Sequence, residues 1–124
     1  PRSLTEAGIR PVAGAADIHA AREAASRIEV APAVMAYLVD VCRATRTSPA
    51  VRLGVSPRGA TSLLRTARVW AFLQGRGFVT PDDVKTMAPS TLAHRLGLRA
   101  EANLEGITAV NVISGVLAAT PVPR

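Results

Sequence analysis

Apolar residues recur every three or four positions along most of the chain, which is the spacing of one face of an α-helix. Serine, threonine or proline stands just before several of these stretches, and glycine follows some of them, as is typical of helix starts and ends. Alanine and leucine are abundant, whereas the β-branched and aromatic runs typical of strands are absent. The pattern predicts an all-α protein, a compact bundle of about five helices, over residues 14–29, 32–45, 57–73, 81–97 and from 108 onward.

Each predicted helix carries an apolar stripe that is expected to face a shared core. Trp70 lies on the stripe of the third helix, so we expect this side chain to be buried. Cys42 lies on the stripe of the second helix and is expected to be an inert, buried thiol. In chain order, the residues predicted to face inward are Ile18, Ala21, Ala25, Ile28, Val34, Leu38, Val41, Cys42, Ala60, Leu63, Leu64, Ala67, Trp70, Ala71, Val84, Met87, Ala88, Val110, Ile113, Val116 and Leu117.

Proline and glycine mark the segments between and around the helices. Residues 1–14 are expected to form a linker arm, residues 15–120 the helical domain and residues 121–124 a tail. Residues 46–55 are predicted to be a loop and residues 101–105 an acidic connection, and Pro89 is expected to bend or restart the fourth helix. The sequence does not begin with methionine, so we expect it to be part of a longer protein.

The net charge is +6, from fourteen arginines and one lysine against nine acidic residues. This balance has two interpretations: an acidic partner such as nucleic acid, or the arginine and alanine bias of a GC-rich genome. A single cysteine cannot form an internal disulfide, which favours a reducing, cytoplasmic setting. His19 and His94 have no companions at metal-ligand spacing, and no stretch approaches the roughly 18 apolar residues of a membrane span.

One residue contradicts the local preferences of a helix. Ser56 is predicted to cap the third helix with Pro57 at its first position, which places Arg58 in the first turn. A helix start carries partial positive charge, so acidic residues are preferred there, as Asp82 and Asp83 at the fourth helix illustrate. A cation at such a position is useful if an anion binds there. Ser56, Pro57 and Arg58 therefore form the candidate site.

Motifs that would make the chain an enzyme by itself are absent. The sequence has no phosphate-cradling G-x-x-x-x-G-K-[ST] loop and no hydrophobic strand that ends in paired acids. It also has no supported Ser-His-Asp or Cys-His arrangement. The chain alone is expected to bind no cofactor and to catalyse no reaction.

A long stretch of the sequence resembles the carboxy-terminal lid of the MoxR-family AAA+ ATPases. The resemblance rests on "GVSPRG" at residues 54–59, on the "LLRTARVWAF" helix after it, and on "GRGFVTPDDV" and "HRL" further along. The flanking segments "VAPAVMAYLVDVCRATRTSPAVRLG" and "LEGITAVNVISGVLAATPVP" are also similar to the family. In all, the resemblance covers roughly residues 14–123.

The resemblance implies a fold and a role. The fold is the helical AAA+ lid, and Arg58 would be the sensor 2 arginine, which contacts the terminal phosphate of the nucleotide, with Ser56 and Pro57 beside it. The parent protein would be a hexameric, Mg-ATP-dependent hydrolase of chaperone type. Its partners would be the N-terminal ATPase core of the same chain, the neighbouring subunits and, in some cases, proteins with von Willebrand factor A domains, with no nucleic acid among them. Whether Arg58 would serve the nucleotide of its own or of the neighbouring subunit stays open.

Gly59 departs from the family pattern, which usually has alanine at this position, at a cost of about 1 kcal/mol in helix propensity. Ala31 stands where the family commonly has an aspartate cap before Pro32. Neither departure affects Arg58. Two other functions are compatible with the composition: a stand-alone basic helical domain that binds nucleic acid, and a plain helical protein-interaction module in which Arg58 has no special role.

Overall fold

The computed structural model describes residues 3–124. In this range the predicted all-α class is confirmed, with six α-helices rather than about five. The additional helix, α5 (Ala100–Leu104), occupies most of residues 101–105, which were expected to be an acidic connection. The elements in chain order are α1 (Ala15–Ser26), α2 (Pro32–Thr47), β1 (Val51–Leu53), α3 (Pro57–Leu73), α4 (Pro81–Leu92), a 3₁₀ turn (Ala93–Arg95), β2 (Gly97–Leu98), α5 (Ala100–Leu104) and α6 (Ala109–Ala119).

Helix α3 is central to the bundle because it packs against α1, α2 and α4. Its inner face consists of Leu63, Ala67 and Ala71, and the two alanines allow neighbouring helices to approach closely. The predicted inward positions of α2 are confirmed, and those of α4 are buried or packed against the core. The largest fully buried apolar side chains are Leu38, Leu63, Leu92, Ile113, Val41, Val55 and Val84.

Four residues predicted to face the core do not lie in it, and one of them, Ala21, is partly buried on α1 without contacting the core cluster. Ile18 is 57% exposed, because α1 is buried only near its C-terminal end, at Ala25. Val110 is 48% exposed, because α6 packs through Val112 and later residues. Trp70 is only half-buried and lies outside the core cluster, at the edge of the α3 face. Spacing identifies the apolar side of a helix, but neighbouring elements decide how much of it is covered.

The loop predicted over residues 46–55 contains a strand that the periodicity did not reveal. β1 pairs with β2 in an antiparallel two-stranded sheet, with Val51 opposite Leu98 and Leu53 opposite Gly97. A further hydrogen bond runs from the Arg99 N–H to the Ala50 carbonyl at 2.9 Å. Backbone hydrogen bonds thus join the segment before α3 to the segment after α4.

The helix expected over residues 81–97 is shorter than predicted. α4 continues through Pro89 without a restart and ends at Leu92, where the 3₁₀ turn follows. The arm predicted for residues 1–14 lies partly outside the described residues. From Ser3 to Gly14 it is exposed and contains turns but no helix or strand. The division into arm, helical domain and tail stays a prediction. No helix in the described residues is long and apolar enough to cross a membrane.

Candidate functional site

The candidate site lies at the start of α3, and its cap forms as predicted. The Ser56 hydroxyl oxygen accepts a hydrogen bond from the Gly59 N–H at 3.3 Å, and Pro57 is the first helical residue. Proline has no N–H, so it removes one of the donors that would otherwise lack a partner at a helix start. The cap therefore fixes where α3 begins and which way Arg58 leaves the helix.

The loop before the cap is held by the end of α2. The buried Thr45 hydroxyl accepts a hydrogen bond from the Val55 N–H at 3.0 Å, and the Arg46 Nε donates to the Val55 carbonyl at 2.9 Å. Gly54 permits this approach, because a Cβ there would lie 2.6 Å from the Arg46 Cγ and 2.8 Å from its Cα. Thr45 and Arg46 were not recognised as part of the site from the sequence, since the contact depends on the path of the loop.

Gly59 is buried against two side chains from different parts of the chain. A Cβ at this position would lie 2.6 Å from the Val55 Cγ1 and 3.3 Å from the Arg95 Cδ. The Arg95 guanidinium also donates to the Thr91 carbonyl at 2.7 Å and contacts the neighbouring His94 ring. The glycine that departs from the family pattern therefore has a steric reason, because Val55 occupies the space that an alanine methyl would need.

Arg58 itself is exposed and makes no side-chain hydrogen bond or ion pair with any of residues 3–124. Its carbonyl accepts a bond from the Ser62 hydroxyl at 3.0 Å, which is an ordinary contact within the helix. The first turn of α3 contains no acidic residue. The guanidinium is therefore an unpaired cation, with up to five N–H donors, at the positive end of a 17-residue helix.

The start of α4 shares the hydroxyl cap and the proline but has acidic residues in its first turn, and it shows how this chain uses arginine structurally. Thr80 and Asp83 form a capping box, and the buried Asp83 carboxylate also pairs with Arg76, whose Nη1 donates at 2.7 Å. Burial works against ionisation of Asp83, yet the bonds from Arg76 and Thr80 outweigh it and hold its pKa below the usual value. The pairing of Arg76 with Asp83 was not predicted from the sequence, because it depends on the path of the chain between α3 and α4.

The other candidate groups have structural surroundings. Cys42 is buried, and burial raises the pKa of its thiol to about 11, against a smaller opposing effect of Arg46, so the thiolate is scarce at neutral pH. His19 lies 3.6 Å from the Glu23 carboxylate on the exposed side of α1. Among residues 3–124, no three histidine, cysteine or acidic side chains are grouped as metal ligands.

Residues 43–116 match the sequence profile of the AAA lid domain family, which shows that the chain belongs to it. The structure is similar to that of a protein from Cytophaga hutchinsonii described as an ATPase, with a TM-score of 0.77 and 26% identity over 82% of this chain and 34% of the other. The chain is also similar to the uncharacterised protein YeaC of Bacillus subtilis, with 36% identity over 93% of this chain and 36% of YeaC.

Two further relatives indicate which AAA+ family is concerned. The Protein MoxR of Paracoccus denitrificans is 34% identical over 79% of this chain and 33% of its own length. The Chaperone MoxR1 of Mycobacterium tuberculosis is 30% identical over 98% of this chain and 34% of its own length. The chain is the lid domain of a MoxR-family AAA+ ATPase, and it spans about a third of the length of these relatives.

Proposed function

We propose that this lid couples nucleotide state to movement in its parent ATPase, and that Arg58 is the sensor 2 residue that contacts the terminal phosphate of ATP. One observation carries the proposal: the guanidinium is exposed and unpaired at a capped, acid-free helix start. A structural arginine is expected to have a partner, as Arg76 has in Asp83. Arg58 has none in the described residues.

The residues at the start of α3 fit an anionic phosphate. Arg58 supplies charge and several N–H donors, and the positive end of the helix adds to the field. The Ser56 oxygen is used as an acceptor by Gly59, but its O–H proton is free to donate. Pro57 has no donor and serves to orient the helix. Ser56 and Pro57 thus position the site, while Arg58 makes the principal contact.

In the parent protein, bound Mg-ATP would supply the anionic phosphate group to be transferred to water. Arg58 would hold that phosphate from the lid side and neutralise charge that develops during transfer. Because Arg58 is fixed to α3, and α3 is packed into the whole bundle, a pull on the guanidinium would move the lid as a unit. The ATPase core, the neighbouring subunits of a hexamer and von Willebrand factor A domain proteins are the proposed partners. The cytoplasmic location stays a prediction.

The test compares Arg58→Ala and Arg58→Lys in the full-length parent protein. Arg43→Ala is the matched control, because Arg43 is also exposed but lies on α2. We expect Arg58→Ala to lower ATP turnover by about a hundredfold or more, because a charge partner of the transition state is lost. We expect Arg58→Lys to recover only part of this loss, since lysine lacks the planar fork. We expect Arg43→Ala to leave ATP turnover unchanged.

Melting of the 124-residue chain is measured in parallel. Removing a cation from a helix start should leave stability unchanged or raise it by a few tenths of a kcal/mol. Normal turnover of Arg58→Ala, or a loss of turnover accompanied by an equally large loss of folding, would refute the sensor role. Membership of the lid family does not favour the alternative of a stand-alone nucleic-acid-binding domain.

A further inference from the structure

Three shallow depressions adjoin one another along α3, on both sides of Arg65, which lines all three. One lies between α3 and α1, and the other two lie between α3 and the α4 segment. We call them together the α3 surface. Four arginines from three parts of the sequence meet here: Arg22, the neighbouring Arg65 and Arg68, and Arg95.

One of the three depressions is mainly apolar and adjoins the other two. A depression of about 210 Å³ is lined by Val69, Trp70, Leu73 and Met87, together with Arg65 and Thr66. Val69 is 44% exposed and Leu73 is 66% exposed, so these side chains are not covered by the core of the domain. Trp70 belongs to this surface, which accounts for its position outside the core. The chain thus exposes an apolar strip flanked by cations.

The arginines of the α3 surface lack acidic partners. No aspartate or glutamate lines any of the three depressions, within the part of the chain that the structure describes. Arg22 and Arg65 form no ion pair with residues 3–124. The Arg68 Nε is enclosed and has no hydrogen-bond partner among those residues. Arg22 and Arg65 are exposed, so their guanidinium groups are free to pair with carboxylates of a partner.

We propose that the α3 surface is a docking site for an acidic polypeptide segment that carries apolar anchor residues. Carboxylates would pair with the forked guanidinium groups, and an apolar side chain would cover Trp70 and Val69. Polypeptide fits better than nucleic acid, because Val69, Leu73 and Met87 are aliphatic and match apolar side chains, whereas bases stack on aromatic rings and Trp70 is the one such ring that lines the depression. Arg65 lies seven residues, or about 10 Å, further along α3 than Arg58, and the α3 surface reaches the sensor site only at its near end, through Ser62 and Arg95.

The proposal can be tested on the 124-residue chain without nucleotide, so its outcome is independent of the sensor role. The probe is a short fluorescein-labelled peptide of alternating glutamate and leucine residues. Three competitors accompany it: the same peptide with glutamine for glutamate, the same peptide with alanine for leucine, and a single-stranded oligothymidylate of equal charge. Trp70 is the only tryptophan in the chain, so its fluorescence reports directly on the site.

Arg65→Gln is the test variant and Arg43→Gln the control, because both remove one exposed arginine and change the net charge equally. We expect saturable binding of the probe with a shift in Trp70 emission, and weaker binding of both altered peptides and of the oligothymidylate. Arg65→Gln should weaken binding about tenfold and Arg43→Gln less than about twofold, since only paired charges at a docking site have specific effects.

Three results would overturn the proposal. The first is no saturable binding of the probe. The second is equal weakening by Arg65→Gln and Arg43→Gln, which would indicate attraction to net charge alone. The third is equal or tighter binding of the oligothymidylate or of the alanine peptide, which would indicate a general polyanion site in which the apolar strip has no part.

Discussion

Replacing Gly59 with alanine should destabilise this lid, although the same change stabilises most helices. Gly59 lies in the first turn of α3, where alanine has a propensity advantage of about 1 kcal/mol over glycine. Against this, the new Cβ would lie 2.6 Å from the Val55 Cγ1 and 3.3 Å from the Arg95 Cδ. Contacts below about 3 Å between carbon atoms require one group to move. The sign of the effect depends on whether Val55 can do so.

Val55 has little freedom to move. Its side chain is fully buried, its N–H is bound by Thr45 and its carbonyl by Arg46. A β-branched side chain also has few alternative rotamers. Overpacking of such a site costs about 1–3 kcal/mol, which exceeds the propensity gain. We therefore expect Gly59→Ala to lower the free energy of unfolding by about 1 kcal/mol, and the melting temperature by about 4 °C.

A double-mutant cycle isolates the steric term. Val55→Ala alone removes two buried methyl groups and should cost about 2 kcal/mol. With Val55→Ala present, a methyl group introduced at residue 59 no longer meets the Val55 Cγ1, and only the Arg95 Cδ at 3.3 Å, on a longer and more flexible side chain, has to give, so Gly59→Ala should stabilise by about 1 kcal/mol. The double variant should then cost only about 1 kcal/mol, whereas simple addition gives about 3 kcal/mol. The coupling of about 2 kcal/mol is the quantity to be measured by chemical denaturation.

Gly115→Ala provides the matched control. Gly115 lies within α6, is exposed, and has no atom within 4 Å of the position of a new Cβ. This substitution should stabilise the chain by about 0.5–1 kcal/mol through propensity alone. If Gly59→Ala stabilises as much as Gly115→Ala, or if the cycle shows no coupling with Val55, the steric explanation is wrong.

Three further predictions concern single side chains. Trp70→Ala should lower the free energy of unfolding, measured by chemical denaturation, by less than about 2 kcal/mol, because the ring is half-buried. A loss of roughly 3–5 kcal/mol, which is typical of a core aromatic residue, would contradict the structure. Asp83→Asn should destabilise the chain at neutral pH by about 2 kcal/mol. Folding lowers the pKa of Asp83, so the stabilisation that its carboxylate gives is complete above the unfolded pKa of about 4 and is lost as the pH falls further. The melting temperatures of Asp83→Asn and of the unaltered chain should therefore converge below about pH 4. Cys42 should resist alkylation at about pH 8 until denaturant unfolds the chain, and rapid labelling of the native chain would be inconsistent with its burial.

Features that depend on a few neighbouring residues could be predicted from the amino-acid sequence. Serine followed by proline at residues 56–57 and "TPDD" at residues 80–83 predicted where α3 and α4 begin, because a cap is satisfied within one turn. Helical spacing predicted the buried side of α2, with Leu38 among its residues, and that of α6 at Ile113 and Val116 but not at Val110. The position of Arg58 in the first turn follows from the same local rule, so the sensor candidate could be predicted from the sequence alone.

Features that depend on contacts between distant segments were decided only by the tertiary structure. The pairing of β1 with β2 joins residues more than about forty positions apart, and no local pattern encodes it. The exposure of Ile18 and Trp70 depends on how far neighbouring helices extend over each stripe. Glycine at residue 59 lowers helix propensity, but the packing of Val55 and Arg95 against it leaves no room for a larger side chain. Arg22 and Arg95 are distant in the sequence from Arg65 and Arg68, and they join one cationic surface because α1 and α4 both pack against α3.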